Sequence, residues 1–289
     1  MLLSPDILPR QGFGAMRLRD EASGDPDRDP VAVINRALDA GVAMVDTADA
    51  YGNETLVGKA ISARRDEVIL ASKFGLVWGQ GRDWSVRADP AYVHQACEAS
   101  LRRLGVEVID LYYLHHRSDE TPIEETVAAM AELVEQGKVR SLGLSNITEE
   151  DLRRADTVHP ITAVQEEWSL VHREVEELLP TLRELGVIAV GHSPTGHGLL
   201  HSPEPLRPGS PVPAPLLGAL ADIATTHGAT SGQVALAWVH HQSRRWDLPV
   251  VPLPGTTRVS HLDANIAAAG LSLSASELER LDVLDAGSP

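Results

Sequence analysis

Cysteine is all but absent: Cys97 stands alone among 289 residues. No disulfide can form within the chain, and a reducing, cytoplasmic setting is expected. Inside a helical pattern, Cys97 reads as a small buried filler rather than a nucleophile. Long apolar runs are missing too. Nothing approaches 18 consecutive apolar residues, and the opening MLLSPDILPR lacks a basic stretch followed by a long apolar one. Neither a membrane span nor a secretory signal is therefore expected. Positive charge is in deficit: 25 Lys and Arg against 41 Asp and Glu give a net charge of −16. That excludes a broad nucleic-acid surface but leaves room for an anionic small molecule in a locally basic pocket. Lysine is the scarcest cation, present only as Lys59, Lys73 and Lys138. In a chain that otherwise uses arginine, a lysine kept at a strand end hints that a titratable amine is needed there.

What is there is a strand–helix rhythm. Short β-branched runs predict strands over Ala43–Asp46, Val68–Lys73, Ile109–His115, Ser141–Ser145, Ala163–Glu167, Val187–Val190 and Val250–Leu253, with a weaker first one near Arg10–Gly14. Helical patterns fall between them, around Pro30–Ala40, Thr55–Ser62, Pro90–Leu104, Ile123–Gln136, Glu149–Ala155, Val175–Leu185, Pro215–Thr226 and Ser231–His240. Two more follow, Leu262–Ala269 and Glu277–Leu284. Gly41, Gly105, Gly137 and Gly186, in LDAGV, RRLGV, VEQGK and RELGV, suit the left-handed residue that ends a helix. Eight such units with near-continuous apolar strands predict an α/β fold, a (β/α)8 TIM barrel in a single domain over residues 1–289. An open doubly wound sheet is the alternative. Its Gly-x-Gly-x-x-Gly turn is only half met by GFGAMR, residues 12–17, where Arg17 takes the third place. The proline-rich SPEPLRPGSPVPAP, residues 202–215, reads as a long loop after strand seven.

In such a barrel, chemistry sits at the C-terminal ends of the strands. The predicted register puts Asp46 at the end of strand two, Tyr51 in the following loop, Lys73 at the end of strand three and His115 at the end of strand four. Each alone reads equally well as a rim charge or a structural ion pair. Together they fit a proton-transfer device. A free tyrosine has a pKa near ~10, too high for efficient exchange around neutrality. A nearby ammonium favours the tyrosinate, a carboxylate holds the ammonium in place, and a histidine orients a substrate oxygen. His116 should face the other way by alternation, and Asp49 reads as a turn residue or rim charge.

VDTADAYGNET, SKFG, DLYYLHHRSD, GLSNI, VQEEWSL, SPTGHG and VPLPGTTRVSHLDAN resemble, in order and spacing, the signatures of the aldo-keto reductases. The resemblance runs over nearly the whole chain. It implies a barrel enzyme of the cytoplasm that uses NADPH, with NADH as the alternative, to reduce a small-molecule aldehyde or ketone, with no nucleic acid or membrane as partner. It implies a catalytic tetrad of Asp46, Tyr51, Lys73 and His115, with Tyr51 as the acid, and no metal. Ser145, Asn146 and Gln165 should hold the nicotinamide carboxamide, with His192 stacked on the ring. Ser193, Gly196 and Gly198 should meet the pyrophosphate, and Gly255, Thr256, Thr257, Arg258, His261 and Asn265 the adenosine end. Phe13, Met16, Arg17, Trp78 and Trp84 should border the substrate pocket.

The resemblance is broken in three places. His192 stands where a Tyr or Phe is common. Thr257 and His261 stand where basic residues are common, which leaves Arg258 as the expected reader of a 2′-phosphate. The usual hairpin under the barrel is expected to be shortened to something near Met1–Gly12. Two other functions fit parts of the pattern: a Schiff-base lyase with Lys73 as nucleophile, and a nucleotide-binding regulatory subunit with little turnover.

Overall fold

The computed structural model describes residues 9–20, 24–79, 83–201 and 212–284. In chain order its strands are β1 (Gly12–Gly14), β2 (Met44–Asp46), β3 (Ile69–Phe74), β4 (Leu76–Trp78), β5 (Trp84–Val86), β6 (Ile109–Leu114), β7 (Val139–Ser145), β8 (Ala163–Glu167), β9 (Ile188–His192) and β10 (Val250–Leu253). All but β4 and β5 form one parallel sheet in sequence order. Gly14 bridges to Gly255 in parallel, and the Gly14 amide donates to the Pro254 carbonyl at 3.0 Å. This joins the first strand to the last and closes the barrel. The closure needs glycine, because a Cβ on Gly255 would lie 2.7 Å from the Gly14 carbonyl oxygen.

The helices start and stop where the chain's own chemistry dictates. Asp29 caps α1 (Pro30–Asp39) by accepting from the Val31 and Ala32 amides, with Pro30 at the first position. Thr148–Asp151 closes a capping box on α5 (Glu149–Val158), and Gly105 ends α3 (Pro90–Leu104) in the left-handed conformation. The helix expected over 175–185 is instead a 3-10 turn, Glu174–Glu177, followed by α6 (Leu179–Leu185). Pro180 lacks an amide hydrogen, so it opens a helix rather than continuing one. Helix α8 runs from Ser231 to Trp246, six residues past the expected end, and stops only at Asp247 in the left-handed region. The antiparallel pair β4–β5 falls outside all the expected strands. It stands over the barrel mouth and pairs Trp78 with Trp84. Residues 1–8 and 202–211, which carry most of the expected bottom hairpin and of the proline-rich loop, lie outside the described residues. The structure resumes at Val212, and α7 (Ala214–His227) begins inside the span expected to be loop.

Two apolar layers hold the barrel. Met44, Ala71, Leu111, Tyr113, Ile188, Val190, Val251 and Leu253 fill its interior, and a larger cluster lies between the strands and the helices. Burial of this kind contributes roughly 25 cal/mol per Å² of apolar surface. It fixes the strand ends to which the polar residues are attached.

Candidate active site

The stretch VDTADAYGN builds the first wall of the site. Asp46 is the last residue of β2, and a 3-10 turn over Asp49–Tyr51 carries the tyrosine inward. Gly52, at φ 70°, ends that turn. Buried Asn53 accepts from the Thr47 hydroxyl at 2.6 Å and donates to the Ala15 carbonyl at 2.7 Å. The loop is thereby pinned at both ends, which sets where Tyr51 points.

Lys73, 1% exposed on β3, forms a buried ion pair with Asp46. Its ammonium also donates to the Thr47 carbonyl at 3.1 Å and to the Tyr51 hydroxyl at 3.5 Å. The second Asp46 oxygen accepts from the Gln165 amide at 2.9 Å. His115, just beyond β6, places its ring 5.6 Å from that of Tyr51, edge to face. The four residues expected to act together meet in one place.

Burial and charge tune them in opposite directions. Burial disfavours the Lys73 ammonium, but Asp46 and Tyr51 outweigh it and hold the amine above its ordinary value. For Tyr51 burial wins: the phenol is raised above its ordinary value, and the Lys73 charge offsets only part of the rise. The lysine lowers the tyrosine pKa as expected, and burial raises it by more. Burial, then the Lys73 charge, push His115 down to about 2, and burial takes His192 to about 4. Both imidazoles are neutral near pH 7, and the buried His115 Nδ1 has no hydrogen-bond partner among the described residues.

A cavity of about 680 Å³ opens above this group. At one end it is lined by Asp46, Tyr51, His115, Ser145, Asn146, Gln165 and His192. Met16, Arg17 and Trp78 form its outer wall, and Trp78 is tied by its indole N–H to the Ala50 carbonyl at 3.2 Å. Ser193 and Gly198 line the middle, and Gly255, Thr256, Thr257, Arg258 and His261 the far end. Several expected residues lie elsewhere. Phe13 is buried between strands and helices, because its neighbours Gly12 and Gly14 take the inward positions of β1. Trp84 is off the cavity and packs against His116, their rings 5.2 Å apart. Gly196 has a packing role: a Cβ there would lie 2.9 Å from Val171. Asn265 is on α9 (Val259–Ala268) but does not line the cavity. Asp49 sits in the turn as expected, yet its carboxyl is sunk far enough that burial and Glu54 raise its pKa to about 7. Cys97 is buried, with its thiol pushed up to about 12, which suits a filler.

The aldo/keto reductase family model matches residues 11–286. The chain belongs to the aldo/keto reductase family. Among solved structures it is similar to an aldo-keto reductase of Bacillus halodurans in its holo form, at 30% identity and TM-score 0.81 over 95% of this chain and 91% of that one. It is also similar to the glycerol dehydrogenase of Gluconobacter oxydans, at 27% identity and TM-score 0.84 over 96% and 91%. An aldo-keto reductase of Klebsiella pneumoniae, solved in complex with NADPH, matches at 32% identity and TM-score 0.79 over 96% and 91%.

This aldo/keto reductase also carries polar residues around the site that no motif marks. Glu166, at the end of β8, accepts from the Ile147 amide at 3.1 Å. It thus fixes the turn in which Asn146 adopts φ 53°, and burial lifts its carboxyl to about 7. Glu167 is held between His172 and His197, each 3.1 Å away. The only hint of either was the doubled glutamate in VQEEWSL. Arg28, His197 and His201 also line the cavity. Arg258 is not free. Its guanidinium pairs with Asp27 at 3.0 Å and approaches Asp25 at 3.6 Å.

Proposed function

We propose that the protein reduces an aldehyde or ketone to an alcohol, with NADPH as hydride donor and Tyr51 as general acid. One observation carries this reading: a tyrosine hydroxyl at 3.5 Å from a buried, carboxylate-paired lysine, on the floor of an open cavity and beside a neutral histidine. The residues present fit a nicotinamide. Asn146 donates to the His115 carbonyl and to Ser145, and Gln165 donates to Asp46. With both Asn146 N–H groups and one of Gln165's spent inside the protein, these two side-chain amides offer carbonyl oxygens to a carboxamide NH₂. When bound, the dihydronicotinamide supplies the hydride.

The chain's own groups supply the rest. A carbonyl oxygen seated between Tyr51 and His115 accepts a hydrogen bond from each, which polarises it for attack. The Tyr51 hydroxyl then gives up its proton, and Lys73 stabilises the tyrosinate left behind. Asp46 keeps that lysine charged and in register. The same pair argues against a Schiff-base lyase, because a nucleophilic amine needs a depressed pKa and Lys73 has a raised one.

The test is a panel of aldehydes and ketones followed at 340 nm with NADPH and NADH, using wild type and Tyr51→Phe. The variant keeps the ring and loses the proton donor. Reduction should fall by about 100-fold or more while the dissociation constant for NADPH stays within about twofold. Wild-type protein that binds NADPH and turns over none of the panel would favour a regulatory role and sink the reductase reading.

A further inference from the structure

Arg258, which lines the far end of the cavity, is paired with a carboxylate, Asp27, that is not itself among the lining residues. Asp27 lies in the 3-10 turn Pro26–Arg28, in the connection between β1 and α1. One of its oxygens accepts from the Ser260 backbone amide at 2.8 Å. The other accepts from the Ser260 hydroxyl at 2.9 Å and from the Arg258 guanidinium at 3.0 Å. Ser260 is the second residue of α9, so its amide is one of the unpaired donors at a helix N-terminus. A helix amide, a hydroxyl and a guanidinium converging on one point form the donor set of a phosphate site. Here the protein's own side chain fills it.

Charge tells the same story. Arg28 and Arg258 both line this end of the cavity. Asp25 lies 3.7 Å from the first, while Asp27 and Asp25 face the second. Two cations are matched by two carboxylates, so little positive charge is left for a dianion. Thr257 offers only a hydroxyl. His261 also lines this end.

We propose that Asp27 is the residue that sets cofactor choice: it occupies the donors a 2′-phosphate needs and so suppresses selection of NADPH over NADH. NADH, with a 2′-hydroxyl, leaves the Asp27 contacts in place. NADPH has to displace the carboxylate or lie against it. The inference rests on the reading that this cavity binds a nicotinamide dinucleotide.

The test uses calorimetric titration of NADP⁺ and NAD⁺ into wild type, Asp27→Asn, Asp27→Ala and the double variant Asp27→Ala/Arg258→Ala, with melting temperatures measured alongside. Asn keeps the shape of the side chain and removes its charge. In the wild type the two affinities should lie within about tenfold of each other. Both single variants should bind NADP⁺ about tenfold more tightly, with NAD⁺ changed by less than about twofold. The double variant should lose that gain, because Arg258 is the group set free. A wild-type preference for NADP⁺ above about 100-fold would overturn the proposal without any variant. So would a ratio unchanged or shifted toward NAD⁺ in properly folded Asp27→Asn. If neither nucleotide binds wild type or variant, the dinucleotide reading itself falls, and the proposal with it.

Discussion

Replacing Lys73 with methionine separates the two things that this lysine does. The ammonium is 1% exposed and meets Asp46, the Thr47 carbonyl and the Tyr51 hydroxyl. Methionine fills most of the volume but leaves Asp46, 2% exposed, with Gln165 as its remaining hydrogen-bond donor. A buried charge deprived of its partner costs about 3–5 kcal/mol, so Lys73→Met should lower stability by that order at neutral pH. Removing both charges is different, since a neutral pair of similar size is often no worse than the ion pair. Lys73→Met/Asp46→Asn should recover most of the stability. Activity should not recover with it. Without the ammonium, the burial that already raises the Tyr51 phenol acts unopposed, and the tyrosinate formed on proton transfer has nothing to stabilise it. A loss of about 100- to 10,000-fold in turnover is expected for both variants. Urea denaturation gives the first quantity and NADPH oxidation at 340 nm the second. The pH dependence supplies an internal check. Lys73 is raised above its ordinary 10.5, so its contribution to stability is complete below that pH. It is lost as pH rises through the higher folded value. Wild-type stability should therefore fall toward Lys73→Met only in strong alkali. Turnover of Lys73→Met within about tenfold of wild type would remove the lysine from the proton-transfer device.

Three further outcomes follow from the geometry. With the Tyr51 phenol above its ordinary 10.0 and His115 near 2, neither titrates between about pH 6 and 9. Carbonyl reduction should be flat across that window in proton-donor terms, while alcohol oxidation, which needs the tyrosinate, should keep rising into alkali. A bell-shaped reduction profile centred near neutrality that persists in Glu166→Gln would contradict this assignment. Glu166→Ala should weaken cofactor binding by loosening the Asn146–Ile147 turn, and Glu166→Gln, which keeps the acceptor, should restore it. Equal affinities in wild type and Glu166→Ala, measured by titration, would show that the turn holds without it. Gly58 packs α2 (Glu54–Ile61) against α3, and a Cβ there would fall 2.0 Å from the Leu104 carbonyl oxygen. Gly58→Ala should cost about 3 kcal/mol or more by urea denaturation. A loss under about 1 kcal/mol would mean that the helices separate easily.

Much of the barrel was legible because its signals are local. A glycine after a helical run, a proline or aspartate before one, and four apolar residues in a row each act within a few positions. The eight barrel strands and most helix ends follow from them. The tetrad was legible for a related reason: once the strand ends are placed, a barrel brings them together whatever lies between. Phe13 could have been placed correctly by the same logic. With glycines on both sides facing inward, the residue between them faces out. The Tyr51 pKa was not legible. Its direction is set by a competition between burial and one nearby charge, and only the folded environment says which wins. Glu166 was hidden similarly, because a carboxylate at a strand end reads as a rim charge until the amide it accepts from is known.

At the far end of the cavity, residue types alone do not fix the charge balance. Arg258 stands in PGTTRVSH as the strongest cation of its segment, and by type it should read a phosphate. Its partner is 231 residues earlier in the chain, in a stretch, DPDRDP, whose acids look like solvated turn residues and helix caps. Asp29 is such a cap. Asp27, two positions away, leaves its own turn and caps α9 instead, taking Arg258 with it. Local sequence marks Asp29, which precedes the proline that opens α1, but does not show that Asp27 differs by reaching α9. The difference lies in the barrel closing β1 against β10, which carries the connection after β1 to the start of α9. The topology that brings Asp46, Tyr51, Lys73 and His115 together thus also delivers a carboxylate to Arg258 at the far end of the cavity. The charge balance there belongs to the pair, and Arg258 cannot be assigned a ligand without Asp27.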